Sequence, residues 1–341
     1  MKARSRILLI GTFAMSMLLD RNIYSADILS GWFCSINEQE SLRTMAITGG
    51  RLVVAYSREL DPKIYLQFLS AAERNGVRCI LQLPPSLVIS GDEKSLAAII
   101  NACQRYTSLY GWLLFDEPDN SRVIIDNALR QTYSLVHAIS KGKKVFLILR
   151  HPNVSDRFVS SCDVVLTDDY PIDVSGATFG TIASDSFSKR IYDFSNLAHK
   201  DHKEFGAVLQ AFGANASGVP QFGKRLPTRD ELLAMVSVAF LNKAQYVFFW
   251  VYYRSNDAWA TLILQPALTA FLKTIGPLQT RDCVTEFKNG TSLAIVSPRG
   301  VTLAAMNLGL FETPNDSGLL DMGGRTASTL EPCKIYLKDY K

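Results

Sequence analysis

Residues 111–119 read Gly-Trp-Leu-Leu-Phe-Asp-Glu-Pro-Asp. A short apolar run leads straight into carboxylates and stops at Pro118, which has no N–H to give to a strand ladder. A run that is apolar on both faces suits a strand buried between helices. Working outward, the same unit recurs. Runs at 31–34, 52–56 and 78–83 precede it, and runs at 144–149, 163–166, 206–212 and 245–252 follow it. Amphipathic stretches separate them, so strands and helices alternate, which is the pattern of a parallel sheet. Eight such strands over residues 30–253 predict a (β/α)8 TIM barrel. A doubly wound sheet is the rival fold. Against it, no Gly-x-Gly-x-x-Gly follows the first run, and no phosphate-binding Gly-rich loop occurs.

The connecting segments carry helix signals. Asp61-Pro62 supplies an N-cap followed by proline, and Gly76 sits where that helix should end. Ser90 with Glu93, and Thr228 with Glu231, have capping-box spacing. After Pro277 the pattern changes to short β-type runs, with a hairpin signal at Asn289-Gly290. The reading is therefore a barrel over 27–277 and a small all-β, sandwich-like module over 278–341.

Residues 1–26 read as an export signal. Lys2, Arg4 and Arg6 precede an apolar run over 7–19, the length of a signal-peptide core and short for a membrane span. Cleavage after Ala26 is the expectation, and an uncleaved anchor is the alternative. The chain is then secreted or periplasmic, with no membrane partner beyond that signal. Of the formal net charge of +4, +3 lies in these residues (Lys2, Arg4, Arg6 and Arg21 against Asp20), which leaves +1 for the rest. That balance does not suggest a nucleic-acid binder, which needs clustered cations. None of the six cysteines forms a Cys-x-x-Cys pair, so no zinc site is expected. Cys283 and Cys333 are the candidate disulfide in an exported chain, with buried free thiols as the alternative. Oligomeric state is not legible in the sequence.

In a barrel the active site lies at the carboxyl ends of the strands. Three ends carry chemistry. The fourth strand ends in Asp116, Glu117 and Asp119. Alternation should point Asp116 and Glu117 different ways. The bland reading is an acidic turn in which Asp119 caps the next helix. The sixth strand ends in Asp168-Asp169-Tyr170-Pro171. Carboxyls converging from the two strands would split into one protonated and one ionised group, as acid and base catalysis requires. The alternative there is an Asx turn before Pro171. The last two strands end in Gln210-Ala211-Phe212 and in Trp250-Val251-Tyr252-Tyr253. Aromatic faces beside a polar amide suit a sugar ring, and core packing is the alternative. His151 follows Arg150 after the fifth strand and is a further candidate for the mouth. Neither a His-x-His pair nor a Gly-x-Ser-x-Gly occurs.

Together these segments resemble a family of glycoside-hydrolase-like barrels, largely uncharacterised. The matching stretches are Trp112 to Pro118 (Trp-x-x-x-Asp-Glu-Pro), Asp168 to Pro171 (Asp-x-Tyr-Pro), Gln210 to Phe212, and Arg225 to Glu231 leading into the aromatic eighth strand. The match covers the barrel and not the module. It implies an acid/base role for Glu117. The retaining clan built on this barrel places a nucleophilic Glu at the end of strand seven, and Gln210 stands there instead. Asp169 as the base of an inverting reaction, a self-assisting substrate near Tyr170, and an inactive site all remain open.

The expected function is hydrolysis of a glycosidic bond in a polysaccharide or glycoconjugate. Glu117 and Asp169 are the expected catalytic pair. Asp116, Asp168, Tyr170, Gln210, Trp250 and Tyr252 are the expected substrate contacts. No cofactor or metal is implied. The rival is a non-catalytic carbohydrate-binding barrel that has lost its nucleophile.

Overall fold

The computed structural model describes residues 28–120, 125–173, 187–213, 223–252 and 257–275, and short strands between 284 and 337. The export segment, Tyr253, and the Cys283 and Cys333 pair lie outside the described residues.

Eight parallel strands close into a barrel in sequence order. They are β1 (Leu29–Ser35), β2 (Leu52–Tyr56), β3 (Arg78–Gln82), β4 (Leu109–Asp116), β5 (Lys144–Leu149), β6 (Val164–Asp168), β7 (Glu204–Gln210) and β8 (Tyr246–Trp250). Pairing of β8 with β1, from Leu29 opposite Tyr246 to Trp32 opposite Phe249, closes the ring. The eight apolar runs are these eight strands, each shifted by no more than a few residues.

Alternation divides the core in two. Phe33, Val54, Ile80, Leu113, Phe146, Leu166, Val208 and Phe248 fill the barrel interior. Trp32, Val53, Leu81, Trp112, Leu147, Phe205 and Phe249 face the helices. That is why the strands are apolar on both sides. Gly31 is required by close approach, since a Cβ there would lie 1.5 Å from the Leu52 carbonyl oxygen. At the floor, Tyr246 donates to Glu204 at 2.7 Å and its hydroxyl meets that of Tyr110 at 3.0 Å. Lys144 also pairs with Glu204. Polar groups thus close the bottom of the interior without leaving a bare charge.

Helix starts follow the local chemistry. Asp61 accepts from Lys63 N–H at the head of the helix Pro62–Arg74, and Gly76 follows its end with φ 64°. Thr228 and Glu231 form the full capping box of the helix Arg229–Leu241. The Ser90–Glu93 box does not form. Ser90 ends the short helix Pro85–Ser90, Gly91 takes a left-handed conformation, and Asp92 caps the next helix through Ser95. An Asp beside the helix start replaces the expected Ser because the intervening glycine breaks the chain direction first.

The helix Arg229–Leu241 is buried nearly all round, with Leu232 and every residue from Ala234 to Leu241 inaccessible. Outer barrel helices ordinarily keep one wet face. Here the strand Ser292–Val296 of a four-stranded antiparallel sheet lies against it. The C-terminal segment does form β-structure, as its sequence pattern predicts.

Candidate active site

The end of β4 departs from regular alternation. Leu113 pairs with Phe146, but Asp116 pairs with Ile148, so β4 carries one extra residue, a β-bulge. Leu114 and Phe115 both pack on the helix side. The bulge resets the alternation and returns Asp116 to the inner face, where it is hydrogen-bonded to the hydroxyl of Tyr56 at the end of β2. Glu117 follows in a left-handed backbone conformation, φ 51°. That region is costly for a residue with a Cβ and is found where surrounding structure enforces it. Its N–H still bonds Ile148 at 3.1 Å. These two irregularities bring both carboxylates to the mouth, where plain alternation would separate them.

Glu117 is held by donors. Arg150 Nη1 lies 3.1 Å from Oε1 and 3.4 Å from Oε2, and Asn120 Nδ2 donates to Oε2 at 3.0 Å. Asp119 does not cap the next helix in sequence, which starts after Ile125 without a side-chain cap. Its Oδ2 instead accepts from Arg150 N–H and Ser155 Oγ, each at 2.8 Å, and from His151 N–H, at the head of the helix Pro152–Val159. His151 is exposed and its Nε2 lies 3.4 Å from Asn120 Oδ1.

On β6 the inner face runs Val164, Leu166, Asp168. Asp168, not Asp169, therefore enters the cluster. It is 8% exposed, its Oδ1 has no partner among the described residues, and the Tyr170 hydroxyl bonds it. Burial first, then the charges of Glu117 and Asp116, push its pKa well above the usual carboxylate range. Asp116 is pushed up to about 6 by burial and by Glu117, with the Tyr56 hydrogen bond and Arg150 opposing. Asp169 turns to Arg190, 3.5 Å away, and caps the Tyr170 N–H at 3.0 Å. Burial raises its pKa too, against Arg190. The aspartate that alternation on β6 turns inward beside Glu117 is thus Asp168, while Asp169, the partner expected for Glu117, faces Arg190.

Two further expectations change. Gln210 is wholly buried and its amide is spent on backbone. Its Oε1 accepts from Ile172 N–H at 2.9 Å, and its Nε2 lies 2.9–3.1 Å from the carbonyls of Ile172, Phe212 and Arg225. The loop it braces is tight, since a Cβ on Gly213 would lie 1.8 Å from the Arg225 backbone. Gln210 therefore has no group left for a sugar. Tyr252 is buried too. Its ring packs edge-on to Trp32 at 5.3 Å on the helix side, and its hydroxyl bonds Asp257. It still borders the cleft beside the carboxylates, with its hydroxyl already engaged. Tyr170 is half-buried against Phe212, the two rings 5.0 Å apart, and meets the cluster through its hydroxyl.

Beside the carboxylates lies a cleft of about 610 Å³, bordered by Tyr56, Gln82, Phe115, Asp116 and Trp250. That volume is in the range of small-molecule sites. Trp250 stands edge-on to Tyr56 at 4.8 Å and borders Phe33 at 5.6 Å, so part of its ring is left to the cleft. Sequence reasoning passed over Tyr56, Gln82 and the role of Arg150. The signal was present, since all three close a predicted strand at the same end as Asp116.

No family model matches the chain, and no curated protein matches it. Solved structures do share its fold. A "putative alpha-L-fucosidase" from Bacteroides thetaiotaomicron is 14% identical, with 80% of this chain and 98% of that chain covered and a TM-score of 0.52. A β-galactosidase from the psychrophilic Marinomonas ef1 is 10% identical, with 72% and 60% covered and a TM-score of 0.50. A β-glucuronidase from Ruminococcus gnavus is 12% identical, with 68% and 43% covered and a TM-score of 0.48. The chain spans less than two thirds of the length of the latter two. At these identities the likeness shows the (β/α)8 fold.

Proposed function

We propose that the chain is a glycoside hydrolase acting through the Asp116, Glu117 and Asp168 cluster. The observation that carries this reading is convergence. Carboxyl groups from two strands and the Arg150 guanidinium meet at the carboxyl end of the barrel, beside a cleft with an aromatic wall. Closely placed carboxyls cannot all ionise, and their surroundings differ. Asp116 borders the cleft and holds a proton up to about pH 6. It is the group that protonates the leaving oxygen. Glu117, with Arg150 and Asn120 donating to it, is the carboxylate that activates water or supports the oxocarbenium-like charge. This reverses the acid role that the sequence argument gives Glu117. Asp168 keeps the charge of the cluster down by retaining a proton. Trp250 offers the sugar an apolar face.

The substrate in this reading is a polysaccharide or glycoconjugate outside the cytosol. The basic and apolar N-terminal residues support that location. Hydrolytic enzymes among the fold neighbours support the reaction class by analogy of fold alone. The rival reading, a carbohydrate-binding barrel without activity, is favoured by one observation. The strand-seven position holds Gln210, buried as a brace. Screening wild-type protein and Glu117→Gln on a panel of polysaccharides and aryl glycosides decides between them. Cleavage lost in the variant supports the enzyme, and binding without cleavage by either protein supports the rival.

A further inference from the structure

Gln82 ends β3 on the inner face, two residues beyond Ile80. Its side chain is buried, at 4% exposure. The backbone N–H of Ser57 donates to its Oε1 at 3.2 Å. That bond fixes which end of the amide is oxygen and holds its plane. The Nε2 finds no acceptor among the described residues, yet Gln82 borders the 610 Å³ cleft with Asp116 and Trp250. The amide N–H groups are therefore left to whatever fills the cleft, water in the empty site or a ligand acceptor in the occupied one. Position, burial and the fixed amide plane all aim that donor at whatever occupies the cleft.

The remaining polar groups of the cleft narrow the ligand. Glu38, Glu59 and Asp116 border it, and Arg58 is the cation beside them. A hydroxyl both accepts and donates, so it can take the Gln82 N–H and give its own proton to a carboxylate. A sugar carboxylate can only accept, and it would face the like charges of Glu38 and Glu59, with Asp116 holding its own proton up to about pH 6. Resting on the glycosidase reading, we infer that Gln82 is a specificity contact whose Nε2 donates to a hydroxyl of a neutral sugar. The cleft thereby selects neutral sugars over uronic acids.

The test uses the full chain and two variants. Gln82→Glu keeps an acceptor for Ser57 N–H but loses the amide donor. Gln82→Met keeps the length without polar atoms. Circular dichroism checks that each folds, and Gln82→Glu carries the test if Gln82→Met does not. Binding of glucose, galactose, mannose and fucose is compared with glucuronic and galacturonic acids by saturation-transfer NMR. The matching 4-nitrophenyl glycosides are assayed for cleavage. At least one neutral sugar should bind better than any uronic acid, and each variant should weaken it about tenfold or more, mainly in KM. A deoxy analogue lacking the contacted hydroxyl should bind wild type and Gln82→Met alike. Preference for a uronic acid, or neutral-sugar binding undiminished in both variants, overturns the inference. If neutral glycosides are still cleaved with unchanged KM in Gln82→Glu, only this inference fails. If no sugar is bound or cleaved, it fails together with the glycosidase reading.

Discussion

Arg150 is tied twice to the turn that carries Glu117. Its guanidinium lies 3.1 and 3.4 Å from the two Glu117 oxygens, while its backbone N–H is held by Asp119 at 2.8 Å. Asp119 thereby anchors the backbone from which the guanidinium reaches Glu117. Glu117 is thus presented as an acceptor, and the proposed mechanism puts the proton on Asp116 and Asp168, whose pKa values burial raises.

That division of roles predicts how leaving groups matter. Glu117→Gln should lose at least about a hundredfold in kcat/KM on every glycoside, activated or not. Asp116→Asn should lose about as much on natural linkages but less on 4-nitrophenyl glycosides, whose leaving group needs little protonation. Initial rates for both variants on both substrate types check this. The opposite pattern would return the acid role to Glu117.

The same assignment fixes a pH profile. Asp116 must be protonated to act, so kcat/KM of the free enzyme should fall as pH rises through about 6. In Asp116→Asn that limb should vanish. A limb left in place by the variant would belong to another group.

Stability should run the same way with pH. The folded-state pKa values of Asp116 and Asp168 lie above the unfolded value of about 3.9. Between the two values the native state holds more protons, so their contribution is full below the unfolded pKa and is lost as pH rises through the folded one. Asp168→Asn removes the cost of keeping a buried carboxyl protonated at high pH while keeping an acceptor for Tyr170. It should raise Tm at pH 7.5 by a few degrees, about 2–4 °C per kcal/mol recovered, and by less at pH 4.5. Thermal melts at the two pH values check the sign, and a lowered Tm at pH 7.5 would show that Asp168 is ionised and paired.

Gln210 should behave as a brace. Gln210→Ala strips partners from buried backbone groups of Ile172, Phe212 and Arg225, at a cost of about 2–4 kcal/mol. Denaturant unfolding should show that loss, with KM unchanged in the folded fraction. Gln210→Glu should destabilise as well and create no nucleophile, because a carboxylate there is buried and cannot donate to three carbonyls. A Gln210→Glu variant that folds normally and gains rate would contradict the brace.

The helix Arg229–Leu241 links barrel and C-terminal sheet. Ending the chain at residue 277 should uncover its apolar outer side, raise the binding of a hydrophobic dye and lower Tm. An equally stable and soluble truncated chain would mean that the sheet is not needed to cover it.

The barrel itself was legible in the sequence because its cause is local. A strand buried on both faces must be apolar throughout, and eight such runs with capped helices between them leave few other folds. The ends of strands four and six announced themselves too, since carboxylates after an apolar run have nowhere to go but a mouth or a turn. What the sequence did not hold was phase. Whether Asp168 or Asp169 enters the cluster depends on which face of β6 meets the interior, and both faces are apolar. Asp116 and Glu117 reach one mouth through a bulge and a left-handed residue, neither of which alternation foresees. Gln210 and Tyr252 have residue types that suit a sugar, and only their partners, the backbone carbonyls and Asp257, show them already engaged. Gln82 was visible as a strand end, but the direction of its N–H is set only by Ser57, 25 residues earlier, which bonds the amide oxygen. Composition and periodicity decide which residues are buried, and tertiary contacts decide which polar groups remain unpaired for chemistry.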